Sequence, residues 1–178
     1  SRLIGGDVLD DLNVLKGQLQ DHPHLKIASP DTIEYAFQEL ARPTRTEATT
    51  TGKEHSINEH KGFNILLTKL CKQTGLLRRG EKYMMDYDGH IVDNTKEDNA
   101  FTYKSTEGYY PVVCSINKLP VYIQNRNGNT PESYNQKKII ADAIQQCTDE
   151  AITVNQFRAD ACCYEKDTLE YLEYNHIT

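Results

Sequence analysis

Apolar residues recur at helical spacing, three or four positions apart, along the first part of the chain. One stretch follows Gly5-Gly6-Asp7 and contains Val8, Leu12, Leu15 and Leu19. Another opens with Ser29-Pro30-Asp31, which is typical of a helix N-cap followed by proline at the first helical position. It contains Ile33, Ala36, Phe37 and Leu40. Each of these stretches predicts an amphipathic helix.

A third helix is predicted over residues 57–74, ending before Gly75. We expect its apolar face to be buried, and this face consists of Phe63, Leu66, Leu67 and Leu70. Before it, residues 42–56 are polar and rich in threonine, without periodicity, which indicates a linker or mobile loop. The sequence therefore predicts a helical N-terminal region, residues 1–80, with a polar linker at 42–56.

From residue 81 the pattern changes to the alternation of strands. Tyr83, Met85 and Tyr87 alternate with polar residues over 82–88. Two further strands, 110–116 and 121–124, are separated by a turn at Asn117-Lys118, which predicts a hairpin.

Thr130-Pro131 then caps a predicted helix with Ile139, Ile140, Ala143, Ile144 and Cys147 on one face. A strand over 152–159 and a helix near 165–175 complete the order β-β-β-α-β-α for residues 81–178. Because a strand, a helix and a returning strand form a right-handed crossover, the strand before Asp160 should be parallel to a neighbour. The fold class is therefore α/β, with a helical N-terminal lobe before a mixed sheet.

Composition narrows the class of protein. The 178 residues carry a net charge of −6, and the mean hydropathy of −0.67 is low but compatible with one folded core. The five cysteines include the adjacent pair Cys162-Cys163 and no C-x-x-C, which favours reduced thiols in the cytoplasm and disfavours structural zinc. No apolar run is long enough to span a bilayer, so no membrane partner is expected.

One segment opposes the acidic balance. Residues 61–82 carry a local charge of +5, from six basic residues against Glu81. Such a patch is either a solvated helix face or a contact surface for a polyanion. The candidate residues for binding a polyanion such as DNA are Lys69, Lys72, Arg78, Arg79 and Lys82.

Two aspartates follow short apolar runs, 72 residues apart: Asp88 and Asp160. Ligand and metal sites form where parallel strands end, and paired carboxylates suit Mg²⁺ or Mn²⁺. Asp86, Asp88 and His90 share one face if the strand stays extended. Two alternatives remain open: the first acids could lie in a solvated turn, and Asp160 could cap the following helix or pair with Arg158.

Together these segments resemble the catalytic domain of bacterial insertion-sequence DDE transposases with an RNase H-like core. Met85-Asp86-Tyr87-Asp88 is similar to the first catalytic strand, written Asp-x-Asp-x-Thr, although His90 stands where the threonine is usual. Phe157-Arg158-Ala159-Asp160-Ala161 resembles the strand with the second catalytic aspartate. The other matching segments are 2–6, 28–32, 102–111 and 121–129, so the resemblance covers nearly the whole chain.

The resemblance implies that Asp88 and Asp160 are the first two catalytic acids and ligands of Mg²⁺ or Mn²⁺. It implies that the partner is DNA, at the transposon ends, and that a homodimer could form on it. It also implies a location associated with the nucleoid. The family's third acid, a glutamate, lies on a later helix, and only 18 residues follow Asp160. None of Glu165, Glu170 and Glu173 matches it. We therefore expect a fragment of a longer protein that does not cut DNA alone.

Two other functions fit the same residues. Asp86-Tyr87-Asp88-Gly89-His90 also resembles the D-x-D-G-T motif of haloacid-dehalogenase-type hydrolases, with Asp86 as nucleophile and Asp88 as acid or base. That motif normally opens a doubly wound fold, whereas antiparallel strands are predicted here. The third possibility is an inactive DNA-binding remnant, which shares the residues of the transposase and lacks its activity.

Overall fold

The computed structural model describes residues 9–22, 24, 26–40, 45–49, 52–95, 99–163 and 165–178, with side chains for all of these but 37–40 and 162. The chain divides into two compact units, Ser1–Arg42 and Pro43–Thr178. The motif at 2–6, and Gly5-Gly6-Asp7 with Val8, lie outside the described residues.

The first unit contains two helices, α1 (Asp11–Gln18) and α2 (Pro30–Leu40). The predicted N-cap of α2 is confirmed, because Ser29 Oγ accepts a hydrogen bond from the Thr32 N–H at 3.2 Å. No residue of α1 is buried.

The second unit is a mixed α/β structure. Its strands are β1 (Arg45–Ala48), β2 (Glu54–Asn58), β3 (Lys82–Gly89), β4 (Val92–Asp93), β5 (Ala100–Phe101), β6 (Glu107–Tyr109), β7 (Val112–Ile116), β8 (Leu119–Arg126) and β9 (Thr153–Ala159). Its helices are α3 (Lys61–Gln73), α4 (Gln136–Asp149) and α5 (Lys166–Tyr174), and a short 3-10 turn, Ala161–Cys163, follows β9.

The main sheet has six strands in the order β1-β2-β8-β7-β3-β9. The pair β3 and β9 is parallel, and the other neighbours are antiparallel. The predicted hairpin is confirmed: Asn117 and Lys118 join β7 to β8, both with positive φ, as the twist of a two-residue hairpin turn favours. The predicted crossover through α4 is also present, and it returns the chain to the edge of β3.

The core lies against the buried face of β3, where Tyr83, Met85 and Tyr87 alternate as predicted. The predicted apolar face of α4 is buried with them, from Ile139 to Cys147. The two-residue alternation of β3 and the helical spacing of α4 both predict the side chains that form this layer, so this part of the core follows from the sequence.

The prediction of a linker at 42–56 is wrong where β1 and β2 form. Ile57 pairs with Arg126 of β8, so β2 joins the main sheet. Strands pair through backbone hydrogen bonds, which depend little on the side chain. A short polar strand such as β1 or β2 therefore has no side-chain pattern that would predict it. The compact units also divide near residue 42 and not at residue 80, because α3 packs on β8.

The predicted buried face of α3 is likewise wrong for three of its four residues, whereas Leu67 is half-buried. Phe63, Leu66 and Leu70 are 41%, 48% and 46% exposed, whereas the buried residues are Asn64, Thr68 and Cys71. The reason lies in β8, since β2 pairs only with its last two residues. The rest of that strand edge has free backbone groups, and polar side chains of α3 satisfy them.

Asn64 forms the centre of this contact. Its Nδ2 donates to the Ile123 carbonyl at 3.0 Å, and its Oδ1 accepts from the Ile123 N–H at 2.9 Å. Thr68 Oγ1 and Gln146 Nε2 donate to the Val121 carbonyl, at 3.1 and 2.8 Å. The helix thus covers a strand edge that would otherwise be open to pairing with another chain.

A small sheet with the order β4-β6-β5 is inserted between β3 and β7. It packs closely on the turn after β8, where the Gly128 N–H donates to the Gly108 carbonyl at 3.0 Å. A Cβ at Gly128 would lie 2.3 Å from the Ala100 oxygen. The turn at Asn127-Gly128 is followed by the loop to α4, and its glycine allows this close approach.

Candidate metal centre at the ends of β3 and β9

The parallel pairing of β3 with β9 brings the two predicted acids to one edge of the sheet. The register pairs Asp86 with Arg158 and Tyr87 with Ala159. Asp88 is the next residue of β3, and Asp160 directly follows β9. The parallel pairing, between strands about 4.8 Å apart, therefore ends one residue before these two aspartates.

Asp86 and Asp88 both lie within β3, not in a turn after it, on the face opposite Tyr87. Asp86 is half-buried and its Oδ1 lies 2.6 Å from Nε of Arg158. Asp88 is exposed, as is His90 beyond the strand. Asp86 is thus ion-paired with Arg158, whereas Asp88 lies closer to the end of β3.

A third carboxylate, which the sequence did not indicate, lies beside Asp160. The ligand atoms of Glu132, Asp160 and Cys163 all lie within 4.8 Å of one another. Glu132 and Cys163 are buried, and Asp160 is exposed. Asp88 does not belong to this group of three. The described residues thus place two carboxylates and a thiol around one point at the sheet edge.

Glu132 is held from several sides. Its Oε1 accepts the Gly89 N–H at 3.0 Å, and its Oε2 accepts the Tyr110 hydroxyl at 2.8 Å. Its carbonyl accepts the Tyr87 hydroxyl at 2.7 Å. Such a buried carboxylate is tolerated because both of its oxygens have hydrogen-bond donors.

The loop that carries Glu132 is fixed by a buried arginine. Nη1 of Arg126 donates to three loop carbonyls, those of Pro131, Glu132 and Tyr134, at 3.0 to 3.4 Å. Burial lowers the pKa of the Arg126 guanidinium. Since an arginine has a very high ordinary pKa, it stays charged and opposes the negative charge of Glu132.

The position of Glu132 near this edge could have been predicted from the strand order. β8 runs antiparallel to β7, which runs antiparallel to β3, so β3, β8 and β9 all end at the same edge. Glu132 follows β8 by six residues. From the sequence, however, Thr130-Pro131-Glu132 is also the ordinary start of a helix, with an acid in its first turn.

The oxygen atoms among the donors Glu132, Asp160 and Cys163 suit a hard divalent cation. Asp160 and Glu132 supply carboxylates, which Mg²⁺ and Mn²⁺ prefer, and Asp88 could add a third only from outside this group. Cys163 fits them less well: its sulfur is soft, and it accepts a hydrogen bond from Gln136. The residues that could hold Mg²⁺ or Mn²⁺ are therefore the carboxylates, with Asp88 and Asp160 exposed to an incoming ligand.

The candidate DNA-binding residues do not lie at this edge. Lys82 begins β3 and Asp88 lies six residues along it, which is about 20 Å. Lys69 and Lys72 lie 3.9 and 3.1 Å from Glu150, and Arg78 lies 3.9 Å from Glu81. Within the described part of the chain, Arg79 and Lys82 have no recorded ion pair.

The outer edge of β9 borders the candidate centre. Thr178 pairs with this edge, since the Phe157 N–H donates to its carbonyl at 2.9 Å and its own N–H donates to Asn155 at 3.1 Å. A largely apolar cavity of about 620 Å³ lies between this edge and α5, with Asp160 and Cys163 in its wall. Glu165, which caps α5, and Glu170 and Glu173 within that helix are exposed.

No family model, curated protein or solved structure matches this chain. Among the described residues, no helix has the length and apolar character needed to cross a membrane.

Proposed function

We propose that this chain is part of an RNase H-like DDE transposase, in which Asp88 and Asp160 hold Mg²⁺ or Mn²⁺ for DNA strand cleavage and transfer. The observation that carries the proposal is the parallel register of β3 and β9, whose last pair, Tyr87 and Ala159, immediately precedes these two aspartates. A site at the ends of parallel strands is the usual place for such ligands.

The sheet order supports the RNase H-like part of the proposal. Three strands, β3, β7 and β8, are antiparallel neighbours that follow one another along the chain, apart from the inserted small sheet. A helix, α4, then leads to β9 beside β3, giving the order β8-β7-β3-β9. Asp88 lies on β3, and Asp160 directly follows β9.

The residues divide the work as follows. Asp88 and Asp160 are exposed, so that a phosphodiester can reach the cation they hold. Divalent cations in such sites activate the attacking oxygen and stabilise the leaving oxygen. Arg158 holds Asp86 and leaves Asp88 free for this role.

The hydrolase alternative is less well supported. It requires Asp86 as nucleophile, but Asp86 is ion-paired with Arg158. It also requires a doubly wound sheet, whereas β3 is followed by the antiparallel β7 and β8. The inactive remnant shares the topology of the transposase and differs from it in cation binding, which an experiment can measure.

The test is a calorimetric Mn²⁺ titration of the 178-residue chain. We expect Asp88→Asn and Asp160→Asn each to weaken Mn²⁺ binding by about tenfold or more, the scale that losing part of a metal site gives. The matched control is Asp142→Asn, which removes a carboxylate paired with Lys138 on α4. Equal effects of all three variants would mean that Mn²⁺ senses only general negative charge, and the proposal would fail.

A further inference from the structure

We propose that Glu132 is a positioning residue that holds the end of β3, and with it Asp88, beside Asp160. The inference rests on the proposed function of these aspartates as cation ligands. Glu132 is 8% exposed and lies on the loop between β8 and α4, outside both strands that carry the acids. It acts on Asp88 through the two residues that flank it.

Those flanking residues are Tyr87 and Gly89. The Tyr87 hydroxyl donates to the Glu132 carbonyl at 2.7 Å, and the Gly89 N–H donates to Glu132 Oε1 at 3.0 Å. Residue 132 thus binds the chain on both sides of Asp88, once by its backbone and once by its side chain. A strand end normally frays, and two anchors around one residue restrict its backbone.

The second carboxylate oxygen extends the contact to the neighbouring strand. Oε2 accepts the Tyr110 hydroxyl at 2.8 Å, and Tyr110 precedes β7, the antiparallel partner of β3. The ring of Tyr110 also packs on Gly89, where a Cβ would lie 2.7 Å from the ring. Glu132 and Tyr110 therefore hold Gly89 in place together.

The other side of Glu132 faces Asp160, whose carboxylate lies within 4.8 Å of it. One side chain thus contacts the end of β3 and lies next to the acid that follows β9. Glu132 thereby restricts the end of β3 that carries Asp88, next to Asp160, and the loop with Glu132 is itself fixed by Arg126. A small displacement of a cation ligand weakens binding strongly, so the spacing matters for affinity.

The experiment compares Glu132→Ala with Glu132→Gln in Mn²⁺ titrations. A glutamine can still accept the Gly89 N–H through Oε1 and donate to the Tyr110 oxygen through Nε2. We expect Glu132→Ala to weaken Mn²⁺ binding by about tenfold and Glu132→Gln by less than about threefold. The control is Asn64→Ala, which removes two hydrogen bonds of another buried side chain, at β8, two strands away from β3, and should leave Mn²⁺ affinity unchanged.

Two results would overturn the proposal. If both Glu132 variants weaken Mn²⁺ binding equally, the charge of Glu132 is what matters, and the residue is itself a ligand. If neither variant weakens it, Glu132 positions nothing that the cation needs.

A metal-free measurement separates this inference from the proposed function. Hydrogen exchange of the Gly89 amide should be faster in Glu132→Ala than in the native chain, and close to native in Glu132→Gln. Unchanged exchange in Glu132→Ala overturns the positioning role whatever Mn²⁺ does. Faster exchange, together with Mn²⁺ binding that is insensitive to Asp88→Asn, would keep the anchor at Gly89 and reject the cation function of Asp88.

Discussion

Nε of Arg158 on β9 lies 2.6 Å from Oδ1 of Asp86 on β3, across the register that pairs these residues. The two acids of the D-x-D motif therefore differ in their surroundings, because Asp86 forms an ion pair with Arg158. Asp88, two residues later on the same face, is the acid closer to Asp160.

This difference predicts unequal effects of two similar substitutions. Asp86→Asn should change Mn²⁺ affinity by less than about threefold and stability by at most about 1 kcal/mol, since a partly exposed ion pair contributes little. Asp88→Asn should weaken Mn²⁺ binding by about tenfold or more. Titration calorimetry and urea unfolding measure both quantities, and a larger loss of Mn²⁺ binding in Asp86→Asn would point to the hydrolase-type assignment.

The polar contact of α3 with β8 predicts a stability effect. Asn64→Ala should lower the free energy of unfolding by about 2–3 kcal/mol, because the N–H and carbonyl of Ile123 lose their partner. Leu66→Ala on the exposed face is the control and should cost about 1 kcal/mol or less. Urea unfolding of both variants decides this, and a larger loss in Leu66→Ala would restore the apolar face as the buried one.

Close packing at Gly128 predicts a local effect. Gly128→Ala should displace the small sheet, because the new Cβ would meet the Ala100 and Gly108 oxygens at 2.3 and 2.8 Å. Overpacking of this kind costs about 1–3 kcal/mol. Limited proteolysis should then cleave the segment 92–109 faster than in the native chain, whereas Gly17→Ala, with open space around its Cβ, should not accelerate cleavage there.

Buried thiols predict how stability depends on pH. Burial raises the pKa of the Cys147 thiol to about 12 and also raises the pKa of Cys114. Below about pH 8.5, the ordinary value for an unfolded chain, both states keep the proton and the stabilisation is complete. As the pH rises from there toward 12, the unfolded chain releases its proton first, so stability falls.

The measurement is urea unfolding at several pH values between 8 and 10. Each such thiol should contribute up to about 1.4 kcal/mol per pH unit to the decline. Cys147→Ala should make the decline less steep by up to that amount, even though the variant is less stable at pH 7. An equally steep decline in Cys147→Ala would show that this thiol ionises in the folded chain as it does in the unfolded one.

The ion pairs of the basic segment predict which of its residues contact DNA. Replacing Arg79 and Lys82 together by alanine should weaken DNA binding for all sequences alike and reduce the salt slope by about 2. Replacing Lys69 and Lys72 should have a smaller effect, because both lie near Glu150. Fluorescence anisotropy at several salt concentrations tests this, and an unchanged slope in both double variants would leave the segment as solvated surface.

The sequence by itself determined those elements whose signal is local. The alternation in β3, the apolar face of α4, the turn at Asn117-Lys118 and the stop at Gly75 follow from side-chain periodicity and backbone preference. The parallel pairing of β3 with β9 also followed, because the rules for crossover connections leave few topologies.

Only the tertiary structure decided the buried face of α3, the strands β1 and β2, and the place of Glu132. Hydrophobic periodicity assumes that apolar side chains are the ones to be buried, but a free strand edge needs donors and acceptors, and so it selected Asn64 and Thr68. Glu132 meets Asp160 because separate strands end at one edge, and residues 28 positions apart carry no shared local pattern. Contacts made between elements by backbone groups and polar side chains are the ones that a single sequence leaves undetermined.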